Sequence, residues 1–204
     1  MPTTPSRHLL GLAAAVAIAV ISFGDAAPSA QTAQPPPPTS TEAAALAGFM
    51  ERVNQYVDLH KKLEATLPKL PAEATPQQIH QNEQALGALI QAARKTAKRG
   101  DIFTPEMTAV VKALMARVFG GPGGQKLRSS VMDENVAELP LTVNQRFPDA
   151  IPMATMPPAV LKALPTLPEG MQYRFVASQF VLLDPHSHLV ADFIPGVLPM
   201  KRVS

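Results

Sequence analysis

The chain has 204 residues, 46% of them hydrophobic and 17% charged, with a formal net charge of +2. This length fits one domain with an appendage, and the weak charge argues against a nucleic-acid-binding protein. The absence of cysteine excludes disulfides, thiol catalysis, thiolate metal sites and a lipidated N-terminal cysteine. The 22 prolines are roughly twice the ordinary ~5% of residues, which is untypical of a compact helical or α/β enzyme.

The N-terminal segment has the three parts of a secretory signal peptide. Arg7 and His8 precede the uncharged apolar run 9–23, and small residues follow it. We expect a signal peptide over residues 1–26, cleaved after its last residue, and therefore a periplasmic or secreted protein. The alternative is an uncleaved anchor, but Asp25 shortens the run below the ~20 apolar residues of a spanning helix. We expect no transmembrane segment after cleavage.

Residues 27–40 are predicted to be a disordered, proline-rich linker. Four consecutive prolines at 35–38 favour extended polyproline II, which buries little surface. A proline-rich recognition ligand is the alternative interpretation of this segment.

A helical region is predicted over residues 41–135. Its first helix carries one apolar seam with steps of three and four residues, ended by Pro68 and Pro71. This seam could extend into a contact between two copies of the chain, which makes a homo-oligomer one expectation. The seam residues are Leu46, Phe49, Val53, Tyr56, His60, Leu63 and Leu67.

Two further amphipathic helices are predicted to follow, and a threonine followed by a proline marks the start of each. The second starts at Thr75-Pro76 and is expected to stop at Gly100, and the third starts at Thr104-Pro105 and stops at the glycines of 120–124. Residues 125–135 could form one short helix. We therefore predict a three-helix antiparallel bundle, because such helices cannot bury their apolar stripes singly.

The C-terminal part, from residue 136, lacks the helical pattern of apolar residues seen before it. Prolines spread through residues 136–172 predict an irregular wrap with one short helix at 158–164. Residues 173–199 alternate and contain two β-rich apolar runs, which predicts a three-stranded antiparallel β-meander that needs a partner layer. The predicted fold class is therefore α+β.

Several phrases of the sequence together resemble a family of exported bacterial proteins of unknown function. The resemblance spans about residues 45–199, and its C-terminal meander is similar to that of other uncharacterised periplasmic proteins. It implies export and no catalytic residue. The phrases are Leu67-Pro68-Lys69-Leu70-Pro71, Gly100-Asp101-Ile102-Phe103-Thr104-Pro105-Glu106, Phe119-Gly120-Gly121-Pro122-Gly123-Gly124, Met132-Asp133-Glu134-Asn135, Leu164-Pro165-Thr166-Leu167-Pro168-Glu169-Gly170 and Tyr173-Arg174-Phe175-Val176.

The strongest metal-like pattern is the turn after the second predicted strand. His186 and His188 stand two residues apart, and Asp184 or Asp192 could add a carboxylate for a divalent transition metal such as zinc, nickel or copper. The alternative is a solvated turn, in which Asp184 accepts hydrogen bonds from backbone N–H groups.

Three other features have structural interpretations. His60 lies on the apolar seam and is expected to be a neutral, hydrogen-bonded histidine of the bundle, whereas His80 is expected at the surface. The basic residues from Arg94 to Arg99 are expected to complement the dipole of the second helix from a solvated face. The glycines of 120–124 lack the lysine and preceding strand of a phosphate loop.

The sequence thus favours a non-catalytic envelope protein, without a cofactor or nucleic-acid partner, that binds another envelope protein or cell-envelope component. The alternative is a periplasmic metal-binding or metal-tolerance protein that uses the histidine turn. No nucleophile elbow or other catalytic motif is recognisable, although a site assembled from distant residues is compatible with the sequence.

Overall fold

Five helices and a three-stranded sheet make up the part of the chain that the structure, a computed structural model, describes: residues 39–133, 139–148, 151 and 156–198. The predicted signal peptide, the linker up to residue 38 and the predicted helix end at Glu134 and Asn135 lie outside these ranges. The elements in chain order are α1 Ser40–Glu64, α2 Pro76–Ala93, α3 Pro105–Gly120, α4 Gly124–Asp133, α5 Pro158–Ala163, β1 Gln172–Val176, β2 Gln179–Asp184 and β3 Leu189–Ile194.

The starts of α2 and α3 are built as their sequences predict, and α1 begins with a similar threonine cap. Thr39 and Thr75 each accept a hydrogen bond from the backbone N–H three residues on, and each receives the reciprocal side-chain contact of a capping box. Pro76 and Pro105 occupy the first helical position, where a missing N–H costs nothing. Thr39 and Ser40, the last two residues of the predicted linker, are thus the N-cap and the first residue of α1.

The ends of α1 and α2 differ from the prediction, whereas α3 ends at Gly120, as predicted. Helix α1 stops at Glu64, before the two prolines, and α2 stops at Ala93 rather than at Gly100. The backbone of Arg94 leaves the helical conformation, and its carbonyl oxygen accepts a hydrogen bond from the Asn144 amide at 2.6 Å. The same carbonyl oxygen accepts the Ala97 N–H at 2.9 Å, so a local turn and a contact with a distant segment both lie at the end of α2.

The sheet is an antiparallel meander in the order β1-β2-β3 and lies between two apolar clusters. In β2, Phe180 and Leu182 join the helices in the larger cluster, whereas Val181 and Leu183 join the smaller one. This alternation is the period of two expected of a strand that is buried on both faces. The α+β prediction, with helices followed by a small antiparallel sheet, is confirmed.

The meander was predicted to need one partner layer, and the structure provides a layer on each face. Helix α1 packs against α2 and α3, and α3 also contacts α4 and α5. On the other face, Leu141 and Phe147 of the proline-rich segment pack into the smaller cluster. Backbone bonds from Asn144 to Val190, from Val190 to Gln145 and from Phe147 to His188 cover the free edge of β3. No helix within the described ranges is both long and apolar enough to cross a membrane.

Candidate metal centre

The carboxylate of Asp184 is fully buried at the end of β2, where the strand turns. Its Oδ1 accepts the backbone N–H groups of His186 at 3.1 Å and Ser187 at 3.2 Å. This confirms the predicted aspartate turn. The interpretation as a solvated turn is wrong for Asp184 and Ser187, because neither side chain is exposed.

The second oxygen of Asp184 connects the turn to α1. Its Oδ2 accepts the Tyr56 hydroxyl at 3.0 Å and lies 2.7 Å from His60 Nδ1. Burial alone would raise the pKa of Asp184, but hydrogen bonds from His60 and Ser187 lower it overall. The carboxylate is therefore ionised and can only accept, so His60 donates from Nδ1.

The contact with Asp184 raises the pKa of each of its two partners on α1, His60 and Tyr56. The hydrogen bond to Asp184 raises the pKa of His60 against the opposing effect of burial. Burial raises the pKa of Tyr56 well above its usual value, and the charge of Asp184 raises it further. The predicted hydrogen bond of His60 is thus present, but its acceptor lies in β2 rather than in the bundle.

Donation from Nδ1 directs the other ring nitrogen of His60 away from the sheet. In neutral His60 the lone pair lies on Nε2, and this atom is 3.6 Å from Glu64 Oε2, one helical turn along α1. His186 Nδ1, on the turn, is 3.6 Å from Glu64 Oε1. One ligand atom from each of His60, Glu64 and His186 lies within 4.8 Å of the other two.

The two histidine–glutamate distances are close to those around a zinc-sized ion; they run to different oxygens of Glu64, and one ligand nitrogen from each histidine lies within 4.8 Å of the other. Two ligands on a tetrahedral ion lie about 3.3 Å apart, from metal–ligand bonds of ~2.0–2.1 Å. Each of the two 3.6 Å separations therefore closes by a few tenths of an ångström. Glu64 and His186 are 45% and 38% exposed, so their side chains have room to make this movement. We name His60, Glu64 and His186 the α1 cluster.

Two open spaces border the α1 cluster. A cavity of about 230 Å³ is lined by the three cluster residues together with Glu169 and Met171. A wider cleft of about 580 Å³ is lined by Glu64 and His186 with several residues that include Lys61 and Lys69. An ion held by the α1 cluster would therefore be reachable from solvent.

The structure separates the residues predicted to bind metal together. His186 joins the α1 cluster, whereas His188 Nε2 lies 3.7 Å from Glu83 on α2. Asp184 is occupied by four donors. Asp192 is buried elsewhere and accepts backbone N–H groups, among them those of Ile102 and Phe103. The alternation of an extended chain, which would align His186 with His188, fails in the turn.

Two residues of the α1 cluster were not predicted as ligands. His60 and Glu64 are four residues apart on one helix face, a spacing that brings their side chains together. That spacing is the only sequence signal for the pair, and it is common on helices. Their relation to His186 depends on the packing of α1 against the turn, which local patterns do not reveal.

Among the basic residues after α2, Arg94 is less solvated than predicted, whereas Lys95, Lys98 and Arg99 are exposed. Arg94 lies 4.8 Å over the Tyr56 ring and donates to Asn144 Oδ1 at 2.7 Å and to the Ala191 carbonyl at 3.2 Å. Arg99 lies 5.7 Å over the ring of Phe193. The expected solvated face is therefore wrong for Arg94, which joins α2 to β3 and to the proline-rich segment.

Comparison with known proteins finds no family model, no curated protein and no solved structure that matches the chain. The resemblance to exported bacterial proteins stays a prediction. The chemistry of the described side chains is then the basis for assigning a function.

Proposed function

We propose that the protein binds a divalent transition-metal ion through His60 Nε2, the Glu64 carboxylate and His186 Nδ1. The observation that carries this proposal is the convergence of these three atoms within 4.8 Å, from a helix and a distant turn. Imidazole and carboxylate ligands suit zinc, nickel, cobalt and copper.

Asp184 supports this proposal as the residue that orients His60. Metal-binding histidines almost always donate their second ring N–H to a carboxylate, a carbonyl or water, which fixes the tautomer and directs the ligand nitrogen. The 2.7 Å contact between Asp184 Oδ2 and His60 Nδ1 has this form. The approach of His186 to Glu64 at 3.6 Å adds a third possible ligand, from the turn, to this pair.

The proposal takes up the alternative that the sequence offered, a periplasmic metal-binding protein, in place of the favoured protein that binds another envelope component. It also changes the ligand set, because His60 and Glu64 replace Asp184 and His188. Three protein ligands leave at least one coordination position for water or a further ligand. Nothing in this arrangement requires a catalytic step.

The proposal is tested by titrating the chelator-treated protein with Zn²⁺, Ni²⁺, Co²⁺ and Cu²⁺ in a calorimeter. We expect His186→Ala and Glu64→Gln to weaken binding by more than the ~10–100-fold that follows loss of an orienting partner. Both side chains are substantially exposed, so the variants should fold. Glu51→Gln, at an exposed position of α1, is the matched control for charge. Unchanged affinity in both cluster variants would refute the proposal.

We also propose that the protein acts outside the cytoplasm, in the periplasm or after secretion. The sequence pattern of residues 1–26 supports this location. The intact mass of the protein from the cell-envelope fraction should correspond to a chain that starts at Ala27. A cytoplasmic chain that retains residues 1–26 would contradict it.

A further inference from the structure

The wider cleft beside the α1 cluster combines two lysines with a single acidic residue. Lys61 and Lys69 are exposed and line it, and Glu64 is the only carboxylate among the described residues of its wall. Neither ammonium group forms an ion pair with a carboxylate of the described residues. The volume of about 580 Å³ lies within the ~300–1,000 Å³ that is usual for small-molecule sites.

The charge of this cleft depends on the metal ion. In the metal-free protein the Glu64 carboxylate offsets part of the charge of Lys61, which lies three residues before it on α1. A divalent ion held by Glu64 and two neutral histidines brings two further positive charges to the same wall. The metal-loaded cleft therefore attracts an anion much more strongly than the metal-free cleft does.

The smaller cavity beside the α1 cluster is less suited to an anion. Glu169 lines this cavity of about 230 Å³ together with Glu64, so that two carboxylates stand against one lysine, Lys61. An anion would be repelled by Glu169 even after the metal ion has taken up the charge of Glu64. The wider cleft is therefore the side from which an anion reaches the ion.

Apolar side chains on the wall of the wider cleft favour an organic anion over an inorganic one. Leu67, Pro68 and Leu70 line it from the segment between α1 and α2, and Leu70 is 41% exposed. The Asn82 amide of α2 donates to the Pro68 carbonyl oxygen at 3.4 Å, which links this segment to α2. This contact and the proline ring limit the freedom of the wall before a ligand binds.

We propose that a metal ion in the α1 cluster takes a small organic carboxylate as its further ligand, bound in this cleft beside Lys61 and Lys69. The inference rests on the proposed function for the ion, but the two lysines that select the anion are not metal ligands. One carboxylate oxygen replaces a water molecule on the ion, and the carbon skeleton contacts the apolar wall. The protein then binds an ion together with an organic acid.

The experiment titrates benzoate into the chelator-treated protein in a calorimeter, with and without an equimolar amount of Zn²⁺. We expect benzoate to bind the zinc-loaded protein about 5–150-fold more tightly, the usual range of coupling between two sites. Benzamide has nearly the same shape without the charge and should show no such gain. In the cobalt-loaded protein, benzoate should change the visible absorption of the ion, because it enters the coordination sphere.

A double variant tests the role of the lysines. Lys61→Gln with Lys69→Gln should weaken benzoate binding to the zinc-loaded protein by about 2–5-fold for each lysine, the value of an exposed ion pair. Zinc alone should bind this variant no more weakly than the unmodified protein. Lys62→Gln with Lys95→Gln removes the same charge from exposed positions outside the cleft and is the matched control.

The outcomes separate this inference from the proposed function. If zinc binds but leaves the affinity for benzoate unchanged, or if the two double variants lose equal affinity for benzoate, the inference is overturned and the α1 cluster stands. An equal gain for benzamide would also overturn it, because the cleft would not then select a carboxylate. A protein that binds no zinc would refute the proposed function and this inference together.

Discussion

Two aspartates, Asp184 and Asp192, are fully buried in the sheet, and each is satisfied by donors from a distant segment. Asp184 binds Tyr56 and His60 of α1, and Asp192 binds the loop between α2 and α3. A buried carboxylate is costly unless its oxygens accept several hydrogen bonds, and both have them. Each aspartate is therefore an attachment point between the meander and the helices.

The contact between His60 and Asp184 makes stability depend on pH. The pKa of His60 is raised, so its contribution is complete below the ordinary histidine value of about 6.5 and is lost as pH rises through the raised pKa. The pKa of Asp184 is lowered, so its contribution is complete above the ordinary value of about 3.9 and is lost as pH falls through the lowered pKa.

We therefore predict that His60→Gln lowers the free energy of unfolding of the metal-free protein, and that the loss is largest between about pH 4 and pH 6.5. The difference should shrink at higher pH. Urea unfolding in the presence of a chelator, at pH 5.5 and pH 9, measures it. His80→Gln removes a histidine from an exposed position and is the matched control. An equal difference at both pH values would contradict the prediction.

For a single residue, the sequence predicts that its side chain forms a hydrogen bond better than it predicts which group is the bonding partner. The aspartate turn and a hydrogen bond at His60 follow from local patterns. The partner of His60 lies 124 residues away, and no local pattern connects the two. The same limit applies to His186 and His188. Their spacing of two residues predicts a shared site, because the sequence does not reveal how α1 and α2 pack against the turn.

At the level of elements, the contact between α2 and the turn depends on Gly87. Alanine in a helix interior is ordinarily more stable than glycine by about 0.5–1 kcal/mol. At Gly48 of α1 an added Cβ would meet no atom within 4 Å, whereas at Gly87 it would meet the Ser187 carbonyl oxygen at 3.2 Å. The two glycines are thus a matched pair that differs in packing.

We predict that Gly48→Ala stabilises the protein by about 0.5–1 kcal/mol and that Gly87→Ala lacks this gain. Gly87→Ala should also weaken zinc binding, because the turn that carries His186 and His188 must move away from α2. Urea unfolding and calorimetric titration of both variants measure the two effects. Equal gains in stability with unchanged zinc affinity would show that the turn does not depend on this glycine.

Element starts were predictable because their causes are local. Threonine caps and proline at the first helical position predict the starts of α2 and α3. One alternating segment and two β-rich runs predict the three strands. The end of α2 was not predictable, because the bond from Asn144 to the Arg94 carbonyl belongs to a segment far along the chain. A physical reading of sequence therefore locates where a helix can begin more securely than where packing makes it end.

At the scale of the whole molecule, the meander is a middle layer with helices on one face and the proline-rich segment on the other. In the described part of that segment, Phe147 is only 3% exposed and packs in the smaller cluster against residues that include Val181 and Val190. It is therefore part of the folded core, even though its prolines forbid long helices and strands.

We predict that Phe147→Ala destabilises the protein by about 3–5 kcal/mol, the usual cost of removing a buried phenylalanine ring. Leu161→Ala, at a residue that is 48% exposed on α5, should change stability by less than about 0.5 kcal/mol. Unfolding in urea, followed by circular dichroism, gives both values. A loss below about 1 kcal/mol for Phe147→Ala would mean that the proline-rich segment adds little to the core.

The attachment of Asp184 to α1 also constrains the order in which the protein can fold. Tyr56 and His60 precede Asp184 by 128 and 124 residues, so α1 leaves the ribosome long before its hydrogen-bond acceptor is synthesised. Contacts of such long range form slowly, because most of the chain must be ordered before they are made. The native state therefore cannot be completed until β2 has been synthesised, and the helices that precede it lack this attachment until then.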